Sequence, residues 1–168
     1  MIKNKRGFTM MEMLVVFILI AVLAQVAIVT YRNSIQDSKL DHAKAVLQEI
    51  GIAAQRFYTD YPAVRLHTAV ISNPADTDAC KVDKFGGTNP EPWMLIACGY
   101  LEKRNWANFD YEFHVCGDQT GECTGVVLPD GTPGTLAYMV ALPGAGKYYD
   151  TKTNTGSVFH YYTGQPIQ

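Results

Sequence analysis

One carboxylate in this chain sits where carboxylates are costly. Glu12 lies near the start of an apolar run from Phe8 to Val29, whose only other polar side chains are Thr9 and Gln25. In a membrane helix a carboxylate costs on the order of 2.5–3.5 kcal/mol near the bilayer centre, and less toward the edge. A group held at that cost calls for a cationic partner. The chain supplies one if it is cut between Gly7 and Phe8. The new α-amine of Phe8 is then a cation at the membrane edge, with Glu12 about one helical turn away. Between staggered helices of a bundle, the amine and the carboxylate can pair directly.

The second chemistry-bearing set is Cys80, Cys98, Cys116 and Cys123. Four cysteines behind an export segment point to two disulfides in an oxidising compartment. Three pairings are possible. Cys80 with Cys98 and Cys116 with Cys123 close the shortest loops, and closing a loop of about 15 to 20 residues stabilises by roughly 3 kcal/mol. A zinc site built from His114, Cys116 and Cys123 is the rival reading, but the chain has no Cys-x-x-Cys spacing to support it. Glycines and a lysine at Gly144-Ala145-Gly146-Lys147 lack phosphate-loop spacing and read as a turn. Asp76, Asp78 and Asp83, or Asp118 with Glu122, match no calcium loop and read as solvated turns. His42, His67, His114 and His160 are far apart in sequence, and the last two fall in strands. No catalytic constellation emerges, and no metal or cofactor is called for.

These residues must be positioned by a few elements. The run from Phe8 to Val29 is about 22 residues, or roughly 33 Å as a helix, enough to cross a bilayer core. Lys3, Lys5 and Arg6 precede it, which predicts a cytoplasmic N-terminus. Beyond Tyr31, a residue suited to the interface, apolar residues recur at Ala43, Val46, Leu47, Ile50, Ala53, Ala54, Phe57 and Tyr61. Those steps of three and four define one helical face. No proline interrupts the chain between Phe8 and Pro62, so one helix of about 54 residues is expected, ending near Tyr61. Residues 62–92 carry turn signals and read as irregular. Trp93 to Cys98 reads as a short helix stopped by Gly99. Strands are expected at Tyr111–Cys116, Val126–Leu128, Leu136–Leu142 and Val158–Tyr162, joined as an antiparallel meander. The fold class is therefore α+β, with one long helix, half transmembrane and half amphipathic, on a sheet of three or four antiparallel strands.

Composition agrees. Charged residues are 18% of the chain and the formal net charge is −2. Losing Lys3, Lys5 and Arg6 leaves 11 basic residues against 16 acidic, a net of about −5, which argues against nucleic acid as a partner.

At Lys5-Arg6-Gly7-Phe8-Thr9, with Glu12 and the long apolar run, the chain resembles type IV pilins and type II secretion pseudopilins. The close match covers Lys5 to about Tyr31. The resemblance implies a type IV pilin-like fold, cleavage between Gly7 and Phe8 by a prepilin peptidase, N-methylation of Phe8, and assembly through Phe8 and Glu12. Val29 stands where many members carry a helix-bending proline, which favours a straighter helix here. The expected parts are a basic leader (1–7), a transmembrane and assembly helix (8–30), its amphipathic continuation (31–61) and an exported globular head (62–168). Expected partners are further copies, other pilins, the peptidase, an inner-membrane assembly platform and the lipid bilayer. The expected location is the bacterial inner membrane, as a single pass with the head periplasmic, and afterwards a filament.

Two plainer readings compete. A secretory signal peptide cut after Ala24 would release a soluble chain starting at Gln25, and an uncut anchor would leave a tethered domain. In either case the head would be a binding domain using aromatic segments such as Tyr148-Tyr149 or Tyr161-Tyr162. Glu12 weighs against both, because a charge in the apolar run weakens a signal peptide and serves no purpose in an anchor. The expected function is a structural filament subunit, with a pseudopilin as the alternative. Two disulfides favour a pilus, since exposed fibres benefit from covalent staples.

Overall fold

The computed structural model describes residues 9–75, 80, 90–117, 121–123 and 134–162. The chain forms two compact units, Met1–Ser38 and Lys39–Gln168. Helix α1 (Met10–Asp60) supplies all the described regular structure of the first unit and continues into the second. It stops one residue before the expected Tyr61, where Pro62 can no longer continue the helical ladder.

In the second unit, α1 packs on an antiparallel sheet. Strands β1 (Ala69–Val70), β2 (Tyr111–Val115), β3 (Thr135–Ala141) and β6 (Val158–Tyr162) lie side by side in that order. A separate pair, β4 (Tyr149–Asp150) and β5 (Thr155–Gly156), forms a small hairpin in the connection between β3 and β6. Ala69–Val70 corrects the irregular reading of residues 62–92: two residues are too few to show an alternating pattern. Tyr149 likewise lies in a strand where a loop was expected. The expected strand Val126–Leu128 falls outside the described residues.

The core follows from periodicity. Ala43, Leu47, Ile50, Ala54 and Phe57 are fully buried on one face of α1, at the steps of four and three that a helix needs. The sheet answers with its own period of two. Tyr111, Phe113 and Val115 point inward from β2, while Glu112 and His114 point outward. Phe113 lies opposite Met139, which lies opposite Phe159. Hence the inner face is Phe113, Met139, Phe159 and their alternate neighbours. Strand β3 is buried along nearly its whole length, because the Cys116 and Cys123 pair packs on Tyr138 from the other side. That double cover explains why β3 reads as an unbroken apolar run rather than an alternating one.

Two local devices fix the connections. Helix α2 (Met94–Ala97) ends in a Schellman motif. The Gly99 N–H donates to the Ile96 carbonyl and the Tyr100 N–H to the Leu95 carbonyl, with Gly99 at φ 79°, where glycine is tolerated without strain. Tyr100 then donates its hydroxyl to Asp60 at 2.5 Å, tying this segment to the end of α1.

Gly51 marks the closest approach of helix and sheet. A methyl group built there would run into the ring of Tyr161. Gly51→Ala gains about 1 kcal/mol of helix propensity, whereas overpacking costs typically 1–3 kcal/mol. We expect the detergent-solubilised variant to unfold at lower urea, with a net loss of up to about 2 kcal/mol. A midpoint equal to or above the parent's would show that Tyr161 does not fill that space.

Candidate assembly site

The helix start is built from Thr9, Met10, Met11 and Glu12. The Thr9 carbonyl accepts the N–H groups of Glu12 at 3.1 Å and Met13 at 3.3 Å, and the Thr9 hydroxyl accepts the Glu12 N–H at 3.3 Å. This is the Ser/Thr half of a capping box, with the glutamate at the third helical position. The carboxylate of Glu12 also sits in the first turn, where the partial positive charge of the helix end favours an anion. Reading Glu12 only as a membrane charge overlooks this role; the Thr-x-x-Glu spacing was the available signal. Capping accounts for a glutamate at this position but leaves its carboxylate in an apolar setting. Among the described residues that carboxylate makes no side-chain hydrogen bond. Gly7 and Phe8, expected as the processing point and the partner amine, lie outside the described residues.

From Met10 to Val29 α1 is apolar on every side apart from Glu12 and Gln25, and its side chains are exposed: Phe17 is 70% accessible and Leu23 68%. The helix contains a stretch long and apolar enough to cross a membrane, and none of that stretch is buried within the chain. An exposed apolar surface of this size marks a membrane or protein partner.

The sulfur chemistry lies in the second unit. Cys80 and Cys98 are bonded, with Sγ–Sγ 2.07 Å, and so are Cys116 and Cys123, with Sγ–Sγ 2.04 Å. The first bond ties residue 80 to the end of α2. The second holds the short 3-10 turn Gly121–Cys123 against β3. The Tyr58 hydroxyl donates to the Cys116 carbonyl at 2.7 Å in a buried bond, which connects α1 to the same corner. Both thiols of the rival zinc site are thus consumed.

The outward face of the sheet brings together residues that sequence distance had kept apart. His114, Tyr138 and His160 are direct cross-strand neighbours on β2, β3 and β6. The His114 and Tyr138 rings stack with centroids 4.4 Å apart and planes 6° apart. Glu112 lies 3.6 Å from His114 Nε2, and Glu122 lies 3.8 Å from His160 Nε2. Burial pushes the His114 pKa below the ordinary imidazole value, and Glu112 partly opposes that. Burial, then Glu122 and Glu112, raises the Tyr138 phenol. Elsewhere, His42 stacks on Phe109 with centroids 5.4 Å apart. Lys147 lies in the 3-10 segment Pro143–Tyr148, over the Tyr148 ring. Glu122 is exposed, while Asp76, Asp78, Asp83 and Asp118 lie outside the described residues. Among the described residues no group of three or more His, Cys, Asp and Glu could hold a metal ion.

Residues 2–24 match the prokaryotic N-terminal methylation motif. That motif is the signature of type IV pilins and pseudopilins, so the chain carries the mark of a processed, pilin-like subunit. No curated protein and no solved structure matches this chain.

His114 sets a pH dependence. Folded His114 holds its proton less tightly than unfolded His114, whose pKa is about 6.5. Between the lowered folded value and about 6.5 the unfolded chain binds more protons, so stability rises with pH. We expect stability to be full above that window and to fall as pH drops through it. His114→Phe keeps the ring stack and should flatten this slope in urea melts run from pH 7.5 to 5. An unchanged slope would mean that other groups carry the dependence.

Proposed function

We propose that this chain is the structural subunit of a type IV pilus-like filament. The observation that carries the reading is Glu12, a carboxylate without a side-chain partner among the described residues, in the first turn of a helix whose apolar surface is exposed all round. A helix of this kind has two resting places: lipid, and a bundle of its own copies. In lipid the carboxylate remains a cost. In a bundle it meets the α-amine that processing between Gly7 and Phe8 creates on a neighbour, and both charges are neutralised.

The sequence of events follows. The basic residues Lys3, Lys5 and Arg6 hold the N-terminus in the cytoplasm while the head is exported. The peptidase cuts after Gly7 and Phe8 is N-methylated. The apolar helix, residues 8–30, then passes from bilayer to filament core, and the head, residues 62–168, forms the outer surface. An inner-membrane platform would carry out the transfer. Partners are other copies and other pilins; nucleic acid is not among them. The two disulfides favour a pilus exposed outside the cell over a secretion pseudopilus. Each closes a loop of a small exported domain and limits the unfolded ensemble by an amount worth about 2–4 kcal/mol.

Glu12→Ala tests the reading. Losing one partner of a buried pair costs about 3–5 kcal/mol, because the other charge is left uncompensated. We expect the variant to insert normally in the membrane and to give few or disordered filaments. Normal filaments from Glu12→Ala would remove the register role of this residue.

A further inference from the structure

Four polar side chains stand on or beside the apolar stretch of α1: Thr9, Glu12, Gln25 and Thr30. Two of them are satisfied within their own helix. The Thr9 hydroxyl accepts the Glu12 N–H, and the Thr30 hydroxyl donates to the Val26 carbonyl at 3.1 Å. That donation uses the one proton of Thr30 and leaves its oxygen free to accept. The side chains of Glu12 and Gln25 make no hydrogen bond among the described residues. An amide buried without a partner is costly, so a helix that moves from lipid into a bundle must find one for Gln25.

Helical geometry narrows the choice. Glu12 and Thr30 are 18 residues apart, about five whole turns, so they share one face. Gln25 precedes Thr30 by five residues, about 140° round the helix, and looks out from a different face. A head-to-tail assembly joins two different faces of the same subunit. Contact between Gln25 and Gln25 needs zero stagger between copies, which a helical filament does not offer. The nearest polar acceptor above Gln25 on the opposing face is Thr30. Shifting one copy by five residues, about 7.5 Å, sets its Gln25 beside the neighbour's Thr30. The same shift sets the neighbour's Glu12 below Met10, where α1 of the first copy begins, toward the end at which cleavage would leave the Phe8 amine.

We propose that Gln25 donates its side-chain amide to Thr30 Oγ1 of the adjacent copy, forming a second polar register contact that a single stagger makes together with the Glu12 contact. The inference rests on the filament reading. The matched motif ends at residue 24, so neither residue belongs to it. One contact at the helix start fixes the stagger but leaves the helices free to pivot. A second contact about 20–27 Å further along fixes their rotation as well.

Cysteine crosslinking in filaments made by the full chain in its own host tests this. With both Gln25→Cys and Thr30→Cys in one chain, mild oxidation should convert filament subunits into a ladder of dimers, trimers and higher species. Each single variant should stay monomeric. Dimers from Gln25→Cys alone, or only monomers from double-variant filaments, would overturn the proposal. If the double variant does not assemble, filaments made from equal amounts of the two single variants give the same test. A crosslinked dimer is then expected, and its absence from filaments containing both variants counts against the contact. Failure of the parent chain itself to be cut and to form filaments would refute the filament reading, and the contact with it.

Discussion

A helix surface that is apolar on every side cannot rest in water, and the rest of this protein follows from how that surface is covered. Along the second half of α1 only one face is apolar, and the chain covers it itself. Ala43, Leu47, Ile50, Ala54 and Phe57 are buried in a core shared with Phe113 and Met139 of the sheet. Along the first half no described element of its own unit offers cover, and on the filament reading lipid or further copies supply it. Lipid and further copies are equivalent for Leu14 or Phe17. They are not equivalent for Glu12 and Gln25, which lipid leaves unpaired. On the filament reading, polar side chains that are costly in lipid and paired in a bundle favour transfer from bilayer to bundle.

The head is arranged to keep its part of α1 tightly packed. Gly51 brings the Tyr161 ring close to the helix backbone, and Tyr58 reaches across to the carbonyl of a disulfide cysteine. The Cys116–Cys123 pair packs on the outer side of β3, so that strand is buried along nearly its whole length. This placement stiffens the unit where a small domain has least core to spare. The row of His114, Tyr138 and His160 completes that outer face. Its rings pack as apolar bodies while Glu112 and Glu122 hold the polar edges.

Much of this was legible before any coordinates. The stripe from Ala43 to Phe57 announced its face because steps of three and four are dictated by the helix alone. Pro62 and Gly99 announced two helix ends through backbone restrictions that need no tertiary context. Strand Val158–Tyr162 was legible for a similar reason, as a compact run of β-favouring residues bounded by Gly156 and Gly164. Other features depend on partners distant in sequence. Nothing near Gly51 reveals Tyr161, and nothing near His114 reveals Tyr138, because register is set by the whole sheet. Ala69–Val70 is a strand only because β2 lies beside it. At the assembly site, Glu12 stood out by its cost, whereas its cap on Thr9 was missed although the spacing was in plain view. The proposed Gln25 contact rests on both the helix geometry and the hydroxyl of Thr30, which already gives its proton to Val26.

The central claim is that Phe8 becomes the N-terminus and so supplies the cation that Glu12 requires. The most direct test is the intact mass and N-terminal sequence of the protein taken from its native membrane. The account predicts a chain beginning at Phe8 and carrying one added methyl group. A chain beginning at Gln25, or one that retains Met1 in a host possessing the peptidase, would contradict it.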